Sequence, residues 1–288
     1  MNNQGISVPF WIKNYERPIP VLDYLTYTTD LASAWSTQRV VISGYFGNLV
    51  KLRRSSDNDE QDFGYSVLTG EVDNTAIDTW AGADQVFYVK IYDQNGANDY
   101  IQTTTTLQPE RVSNRAFSNN DKMMVMTSTT TNENITMIDR AEATVSALNK
   151  RINMANSLVS PPYRTLMFRA NPAYFDLYIG AVTTNNYYRL LQQYITIPLD
   201  TILGYGFGGA VTNNLLSYNA SIFEDITPQI IGSPTSYFTT INISWFYKTN
   251  YAATYQGYID ERYHYSELLN STNYGTVRTY INDKYSVY

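Results

Sequence analysis

The sequence predicts a mainly β protein, a sandwich or jelly roll of antiparallel strands with a few short helices. Short runs with strand character recur along the chain, and polar or glycine-containing stretches separate many of them. Such spacing is typical of all-β architectures and disfavours alternating β-α units. The chain also holds 27 tyrosines, and tyrosine and threonine suit a pleated, half-buried surface.

Nine segments are predicted as strands. They combine β-branched and aromatic residues at strand-like spacing, and no repeat or convincing linker interrupts them. The segments are Val40–Ser43, Val50–Arg53, Val86–Tyr92, Thr165–Arg169, Tyr174–Val182, Tyr188–Ile197, Leu216–Phe223, Thr239–Tyr247 and Tyr258–Tyr265. We therefore expect one compact domain over residues 21–288, preceded by an arm.

Three segments are predicted to be helical. Asp73–Trp80 starts with a capping-type Asp and precedes Ala-Gly. Asp139–Glu142 resembles a capping box that opens a run to Asn156. The residues 275–288 place apolar side chains four apart, which predicts a closing helix. The middle helix is expected to bury one face, formed by Ala141, Val145, Leu148, Ile152 and Ala155.

The first 20 residues are predicted to form an extended arm. Three prolines favour an extended path, and no apolar periodicity holds the segment together. Its aromatic side chains, Phe10, Trp11 and Tyr15, would be poorly tolerated in water. We expect them to dock on this domain or on a partner subunit.

Composition excludes several classes of function. Cysteine is absent, so no disulfide or thiol nucleophile is available. The formal net charge of −6 argues against a nucleic-acid partner, which needs clustered Lys and Arg. The start of the chain lacks the basic and apolar regions of a signal peptide. No apolar run approaches the roughly 18 residues that span a bilayer, so we expect no membrane insertion.

One stretch, VKLRRSSDNDEQDFG, concentrates charge in a chain of which 16% is charged. Asp57, Asp59 and Asp62 offer the hard oxygen ligands that calcium takes. The stretch lacks the glycine and terminal glutamate of the helix-loop-helix calcium motif. Arg53 and Arg54 lie immediately upstream and can pair with the same carboxylates. A structural ion-pair cluster is favoured, with a calcium loop and a catalytic role as alternatives.

A second informative run follows the predicted strand over residues 86–92. Tyr92, Asp93 and Gln94 open the sequence YDQNG, whose Asp, Asn and Gly are a strong turn signal. We interpret these residues as part of the structural frame.

These motifs carry a resemblance to a known family. The runs are VKLRRSSDNDEQDFGY, GEVDNTAIDTWAGA, VFYVKIYDQNGANDYIQT and QPERV, with a closing pattern from GYIDERYHYS to INDKYSVY. In this order and spacing they resemble the α-L-arabinofuranosidase B-type domain of the concanavalin A-like (laminin G-like) jelly-roll group. The detailed likeness covers roughly residues 32–112 and 257–288. It implies two antiparallel sheets packed face to face, one of them concave.

The resemblance raises the question of catalysis. Glycoside hydrolysis needs two carboxyls about 5–5.5 Å apart for retention, or about 6.5–9.5 Å apart for inversion. The sugar pocket of the arabinofuranosidases is also associated with adjacent cysteines, which this chain lacks. The comparable segment 169–189 contains one acid, Asp176. We therefore interpret the fold as kept and the reaction as lost, with no catalytic residue assigned.

Other candidate sites are weaker. The single histidine, His264, lies in an alternating strand without a Gly-x-Ser-x-Gly elbow, so we expect a hydrogen-bonded or half-exposed strand residue. The run GYGFGG over residues 204–209 matches no phosphate loop and is interpreted as a sandwich corner or a loop framing a concave face. As sugar-stacking candidates we name Tyr187, Tyr188 and Tyr205.

The sequence is compatible with three functions. The favoured one is a non-catalytic bacteriophage virion protein, a head- or tail-fibre or decoration component on the virion surface. It would dock to other virion proteins through its arm, form a homo-oligomer, display a lectin-like domain to host-surface glycans, and need no cofactor, with calcium as the alternative. The other two are a stand-alone carbohydrate-binding module and an active arabinofuranosidase-type glycoside hydrolase.

Overall fold

The computed structural model confirms a mainly β fold with two antiparallel sheets and few helices. It describes residues 23–96, 98–119, 124–128, 135–143, 150–157, 164–170, 175–181, 186–193, 200–207, 214–218, 221–224, 229–231, 241–245 and 256–288. The helices are α1 (Asn74–Ala81) and α2 (Ser271–Tyr285), with a short 3₁₀ turn at Thr105–Leu107. The strands are β1 (Leu31–Ser36), β2 (Val50–Arg54), β3 (Glu60–Phe63), β4 (Val86–Ile91), β5 (Tyr100–Ile101), β6 (Glu110–Val112), β7 (Arg115–Asn119), β8 (Met124–Ser128), β9 (Ile135–Ala143), β10 (Lys150–Ser157), β11 (Arg164–Ala170), β12 (Phe175–Ala181), β13 (Asn186–Gln193), β14 (Asp200–Phe207), β15 (Asn214–Tyr218), β16 (Ser221–Glu224), β17 (Gln229–Ile231), β18 (Ile241–Trp245) and β19 (Gln256–Tyr265).

Strand pairing defines the two sheets. The first runs in the order β1-β19-β9-β14-β15-β16. The second runs β3-β2-β4-β5-β8-β18-β10-β11-β12-β13-β17. The hairpin β6–β7 joins them, because β6 pairs with β4 and β7 pairs with β19. All these pairings are antiparallel, so the connections do not require the long crossovers of a parallel sheet.

Most predicted strands are confirmed, and two need correction. Seven of the nine predicted segments coincide with β2, β4, β11, β12, β13, β18 and β19. The segment Leu216–Phe223 is two strands, β15 and β16, which pair as a hairpin. The segment Val40–Ser43 is not a strand. There the N–H of Val40 donates to the carbonyl of Gly70, and the N–H of Val41 donates to the Gln94 side chain, so neither joins a ladder.

The predicted helix from Asp139 to Asn156 is wrong. Its described residues form the strands β9 and β10. The carboxylate expected to cap a helix, Asp139, instead binds Arg262 of β19 at 2.6 Å, and Glu142 binds Arg115 of β7 at 2.7 Å. The charged residues that suggested a helix start therefore form ion pairs between strands. The helical spacing of the apolar residues is coincidental.

The other two predicted helices are confirmed. Helix α1 begins after Asp73, whose carboxylate accepts the N–H of Ala76 at 2.9 Å, and it ends at Gly82, where φ is 61°. Helix α2 begins after Asn270, whose side chain accepts the N–H of Asn273 at 2.9 Å. These caps satisfy N–H groups that lack a partner inside the helix. Among the described helices, none is long and apolar enough to cross a membrane.

Helix α2 closes the main apolar core against the first sheet. Its buried face packs on β1, β9, β14 and β19, and the core residues are Leu25, Leu31, Ala34, Val41, Ile138, Ile202, Tyr263, Tyr265, Leu269, Tyr274, Val277, Tyr280 and Ile281. The close approach depends on Gly204 of β14. A Cβ atom at this position would lie 1.9 Å from the Tyr274 hydroxyl oxygen, and Tyr274 is fully buried. The glycine-rich run therefore begins inside a strand, so its prediction as a corner is wrong at residues 204–207.

The variant Gly204→Ala is expected to destabilise the fold by about 1–3 kcal/mol, because an added methyl group overpacks the buried Tyr274 ring. The matched control is Gly275→Ala in α2, where a Cβ would have open space within 4 Å. The control is expected to stabilise by about 0.5–1 kcal/mol through reduced backbone entropy. Urea unfolding measures both, and equal stability of Gly204→Ala and the wild type would contradict the proposed close contact.

Candidate functional site

The charged stretch is the hairpin of β2 and β3 with its turn. Arg53 is buried, and its Nε donates to Gln108 at 2.7 Å while Nη1 donates to Asn58 at 2.8 Å. Arg54 binds the carboxylates of Asp57 at 2.7 Å and Asp59 at 3.3 Å. Its guanidinium also lies 4.9 Å from the Trp80 ring of α1. The hairpin turn is thus tied to the helix through one arginine.

The three aspartates named as calcium candidates do not converge on one point. Asp57 and Asp59 both face Arg54, whereas Asp62 on β3 accepts the hydroxyl of Tyr92 at 2.6 Å. Within the described part of the chain, no group of three or more acidic or histidine side chains is placed to hold a metal ion. The hydrogen bond from the Asp59 N–H lowers the pKa of Asp57, and Arg54 adds to the effect.

The YDQNG turn fastens β4 to β1. Asp93 is buried, and its carboxylate accepts the N–H groups of Ala34, Asn95 and Asn98 at 2.9, 3.0 and 3.2 Å. Burial raises the pKa of Asp93, and these N–H groups oppose the rise. Gln94 accepts the N–H of Val41 and donates to the carbonyl of Arg39. These contacts are made to the protein's own backbone, so the turn residues belong to the scaffold.

A polar layer lies between the sheets. Arg262 of β19 pairs with Asp139 of β9 through two contacts of 2.6 and 2.8 Å, and both side chains are almost completely buried. On the same face, Trp35 of β1 packs edge-on against Tyr100 of β5 with ring centroids 5.3 Å apart. Tyr100 belongs to the second sheet, so this aromatic contact joins the two layers.

His264 lies in the same layer and is not a half-exposed strand residue. Its exposed fraction is 2%, and its Nδ1 has no hydrogen-bond partner. Burial lowers the pKa of His264 to about 3, and the positive charge of Arg262 contributes to the decrease. The imidazole is therefore neutral near pH 7, and no described carboxylate orients it as a general base.

A second buried charge lies under α2. Glu261 of β19 accepts two contacts from Arg39, at 2.6 and 3.2 Å, and the hydroxyls of Tyr263 at 2.6 Å and Tyr285 at 3.0 Å. The Arg39 guanidinium lies 4.3 Å from the Tyr280 ring centroid. Burial alone would raise the pKa of Glu261, but Arg39 and the tyrosine hydroxyls hold it below its usual range.

A partly exposed acidic site lies at Glu142, near the end of β9. Arg115 binds Glu142 at 2.7 Å and the buried Asp260 at 2.6 Å, and Arg140 lies 3.7 Å from Glu142. The Arg115 guanidinium covers the half-buried ring of Tyr258 at 4.2 Å. The Glu142 side chain is 35% exposed, whereas that of Asp260 is 0% exposed. Glu142 is therefore partly accessible to solvent, whereas Arg115 and Phe117 both pack against the ring of its neighbour Tyr258.

The backbone register adds a second acid to this site. Asp200, the first residue of β14, stands opposite Glu142 in the β9–β14 ladder. Residues directly opposite on antiparallel strands have Cβ atoms about 4.5–5.5 Å apart, and like charges there are destabilising. The strand register therefore places a second acidic residue directly opposite Glu142.

Several sequence predictions fall outside the described side chains. The arm residues Phe10, Trp11 and Tyr15 lie outside the described residues. For Tyr187, Tyr188 and Tyr205 only the strand positions in β13 and β14 are described. These assignments stay predictions.

Sequence reasoning missed the ion pairs of β19. Asp260, Glu261 and Arg262 occur in succession inside a strand that otherwise contains aromatic residues. Charged residues are almost never fully buried unless paired, so this run was a signal that partners would come from elsewhere. Its partners Arg115, Arg39 and Asp139 are distant in sequence, and no local pattern identifies them.

Comparison with known proteins agrees with this fold. Residues 22–145, under half of the chain, match the family model described as "Alpha-L-arabinofuranosidase B, catalytic". No curated protein matches this chain significantly. Among solved structures, a GH54 α-L-arabinofuranosidase mutant soaked with 4-nitrophenyl α-L-arabinofuranoside superposes with a TM-score of 0.66 and 15% sequence identity.

Two further solved structures give the same result. They are a GH54 α-L-arabinofuranosidase soaked with a cyclic sulfate inhibitor, with a TM-score of 0.66 and 16% identity, and an arabinofuranosidase complexed with arabinofuranosyl-α-1,2-xylobiose, with a TM-score of 0.67 and 15% identity. All three superpositions cover 87% of this chain and 62% of the other chain. The chain thus spans less than two thirds of the length of these proteins, and the likeness establishes the β-sandwich fold.

The expectation of a non-catalytic virion protein is wrong, as are the fibre, decoration and lectin-like assignments that accompanied it. The family model that matches describes a catalytic domain, and the solved structures are glycoside hydrolases. The expectation of lost catalysis rested on the absence of cysteine and on a search that found one acid in the segment 169–189. A search of one sequence segment misses such a pair, because an antiparallel sandwich brings together carboxylates from strands that are distant in sequence.

The variant His264→Phe is expected to flatten the dependence of stability on pH between about 5 and 6.5. The unfolded chain takes up a proton on its single histidine near pH 6.5, whereas burial holds the pKa of the folded histidine at about 3. The folded state therefore loses stability as the pH falls below 6.5, by up to about 1.4 kcal/mol per pH unit. Urea unfolding at several pH values measures this slope, and an unchanged slope in the variant would refute the assignment.

The variant Glu261→Gln is expected to cost about 3–5 kcal/mol of unfolding free energy at pH 7, because the buried Arg39 charge loses its partner. Glu261 has a lowered pKa in the folded state, so its contribution is present above about pH 4.3 and is lost as the pH falls through the folded pKa. The difference from wild type should shrink at pH 3. The control is Glu60→Gln, an exposed partner of Lys51 at 3.6 Å, for which less than about 1 kcal/mol is expected.

Proposed function

We propose that this chain is a glycoside hydrolase domain of the arabinofuranosidase type, which removes α-L-arabinofuranosyl groups. The observation that carries the proposal is the match of residues 22–145 to the arabinofuranosidase B catalytic family model. The matched residues include the β2–β3 hairpin, α1 and the YDQNG turn, and Asp93 of this turn accepts the N–H of Ala34 in β1. The superposition of 87% of the chain on arabinofuranosidases supports the same reaction class.

The reaction requires two carboxyl groups on either side of the scissile bond. Four carboxylates are unsuited to this role because they are buried away from solvent as well as bound by the protein's own groups. Asp93 is held by backbone N–H groups, and arginine partners hold Asp139, Asp260 and Glu261. A substrate would have to displace these partners, at the cost of leaving a buried charge unpaired.

We assign the reaction to Glu142 and Asp200. Their opposite positions on β9 and β14 bring two acidic residues to one point of the ladder, and a retaining glycosidase uses two carboxyl groups as nucleophile and acid. In such a mechanism one carboxylate attacks the anomeric carbon while the other, as an acid, protonates the departing oxygen. Arg115 donates to the Glu142 carboxylate at 2.7 Å and fixes its position.

The assay is release of 4-nitrophenol from 4-nitrophenyl α-L-arabinofuranoside by the full chain. Separate variants Glu142→Gln and Asp200→Asn are expected to lower kcat by about a hundredfold or more, the usual contribution of a catalytic acid or base. Controls are Asp176→Asn and Glu224→Gln, two strand acids on β12 and β16 that are expected to leave kcat within about twofold of wild type.

Each outcome decides a different point. A wild-type protein that folds and releases no 4-nitrophenol would refute the function. Full activity in both Glu142→Gln and Asp200→Asn would refute the residue assignment and leave the reaction standing. Melting temperatures of all four variants separate loss of catalysis from loss of fold.

A further inference from the structure

A groove lies on the outer side of α2, where Tyr280 contributes both to the groove and to the core. Its volume is about 510 Å³, and it is open to solvent. One wall is the segment with Asp23, Tyr24 and Thr26. The groove is within the range of about 300–1,000 Å³ found for small-molecule sites, and it lies on a different element from Glu142.

The other wall is a row of polar residues on α2. Thr272, Thr276, Thr279 and Asp283 follow one another at spacings of four, three and four, so they share one face of the helix. Gly275 lies beside this row, and a side chain there would meet open space. The missing side chain gives the groove its depth.

The two walls are fixed relative to each other. The hydroxyl of Tyr280 on α2 donates to the backbone carbonyl of Asp23 at 3.3 Å. The next apolar residue, Leu25, is buried in the core, and its N–H donates to the carbonyl of Val41 at 2.9 Å. A ligand would therefore enter a preformed site, which lowers the entropy lost on binding.

The hydrogen-bonding groups and charges that line the groove determine which class of ligand fits it. Threonine hydroxyls can donate and accept hydrogen bonds, and the carboxylates of Asp23 and Asp283 accept them. The hydroxyl of Thr276 donates to the carbonyl of Thr272 at 3.2 Å and so offers its oxygen as an acceptor. The half-buried Tyr24 adds an aromatic side chain to the lining. No basic side chain is among the residues that line this groove, which disfavours an anion. Arg39 lies 3.6 Å from the Asp23 carboxylate and offsets its charge, which disfavours a cation.

We propose that this groove binds a neutral oligosaccharide through its hydroxyl groups. Alternating sugar hydroxyls match the donor and acceptor row along α2, and one ring can lie on Tyr24. This site holds a glycan without cleaving it, and its existence does not depend on the proposed hydrolysis of arabinofuranosides.

Isothermal titration of the full chain with xylotriose and with cellotriose tests the proposal. Neither sugar contains an arabinofuranosyl group, so binding is measured whether or not the protein is an arabinofuranosidase. One-site binding of at least one sugar is expected. Gly275→Leu, which fills the groove, should weaken that binding at least tenfold, and Asp283→Asn should weaken it severalfold.

The controls keep the result interpretable. Leucine favours a helix more than glycine does, so the melting temperature of Gly275→Leu should equal or exceed that of wild type. Glu60→Gln removes an exposed carboxylate far from α2 and should bind as wild type does. Failure of both sugars to bind, or equal affinity of Gly275→Leu and wild type for the sugar that binds, would overturn the proposal.

Discussion

Three consecutive charged residues on β19 impose the constraint on which the domain is built. Asp260, Glu261 and Arg262 are each buried, and a buried charge is tolerated only with a partner. The partners come from three separate parts of the chain, at Arg115, Arg39 and Asp139. A bulge in the β9–β19 ladder between Ile259 and Glu261 locally changes its register. Slipping the strand by one residue would unpair all three charges, so electrostatics fixes its register.

These ion pairs also lie on both faces of the first sheet. Glu261 and Arg39 lie under α2 among tyrosine hydroxyls, whereas Arg262 and Asp139 face the second sheet. The same strand thus anchors the helix on one side and the sandwich interior on the other. Arg115 extends the network from Asp260 to Glu142. The partly exposed carboxylate of Glu142 is therefore held in place by its link to the buried Asp260.

Local chemistry allowed much of this fold to be predicted, and long-range pairing accounts for the errors. The start of α1 follows from Asp73 and its end from Gly82, because capping acts within a few residues. The prediction for the region after Asp139 failed for the opposite reason. Asp139 pairs with Arg262, 123 residues away, and Glu142 pairs with Arg115, 27 residues away. The Glu142–Asp200 pair was likewise invisible in the sequence, because a strand ladder brings it together.

The separation between β19 and its partners bears on how the domain is made. The pair of Arg262 with Asp139 spans 123 residues, and the pair of Glu261 with Arg39 spans 222. While a ribosome is still translating the segment between β9 and β19, Asp139 and Arg39 have no counter-charge from β19 and the centre of the first sheet is missing. Nascent chains of this protein would therefore expose an incomplete sheet for much of synthesis, which makes them natural clients of chaperones that shield unpaired strands.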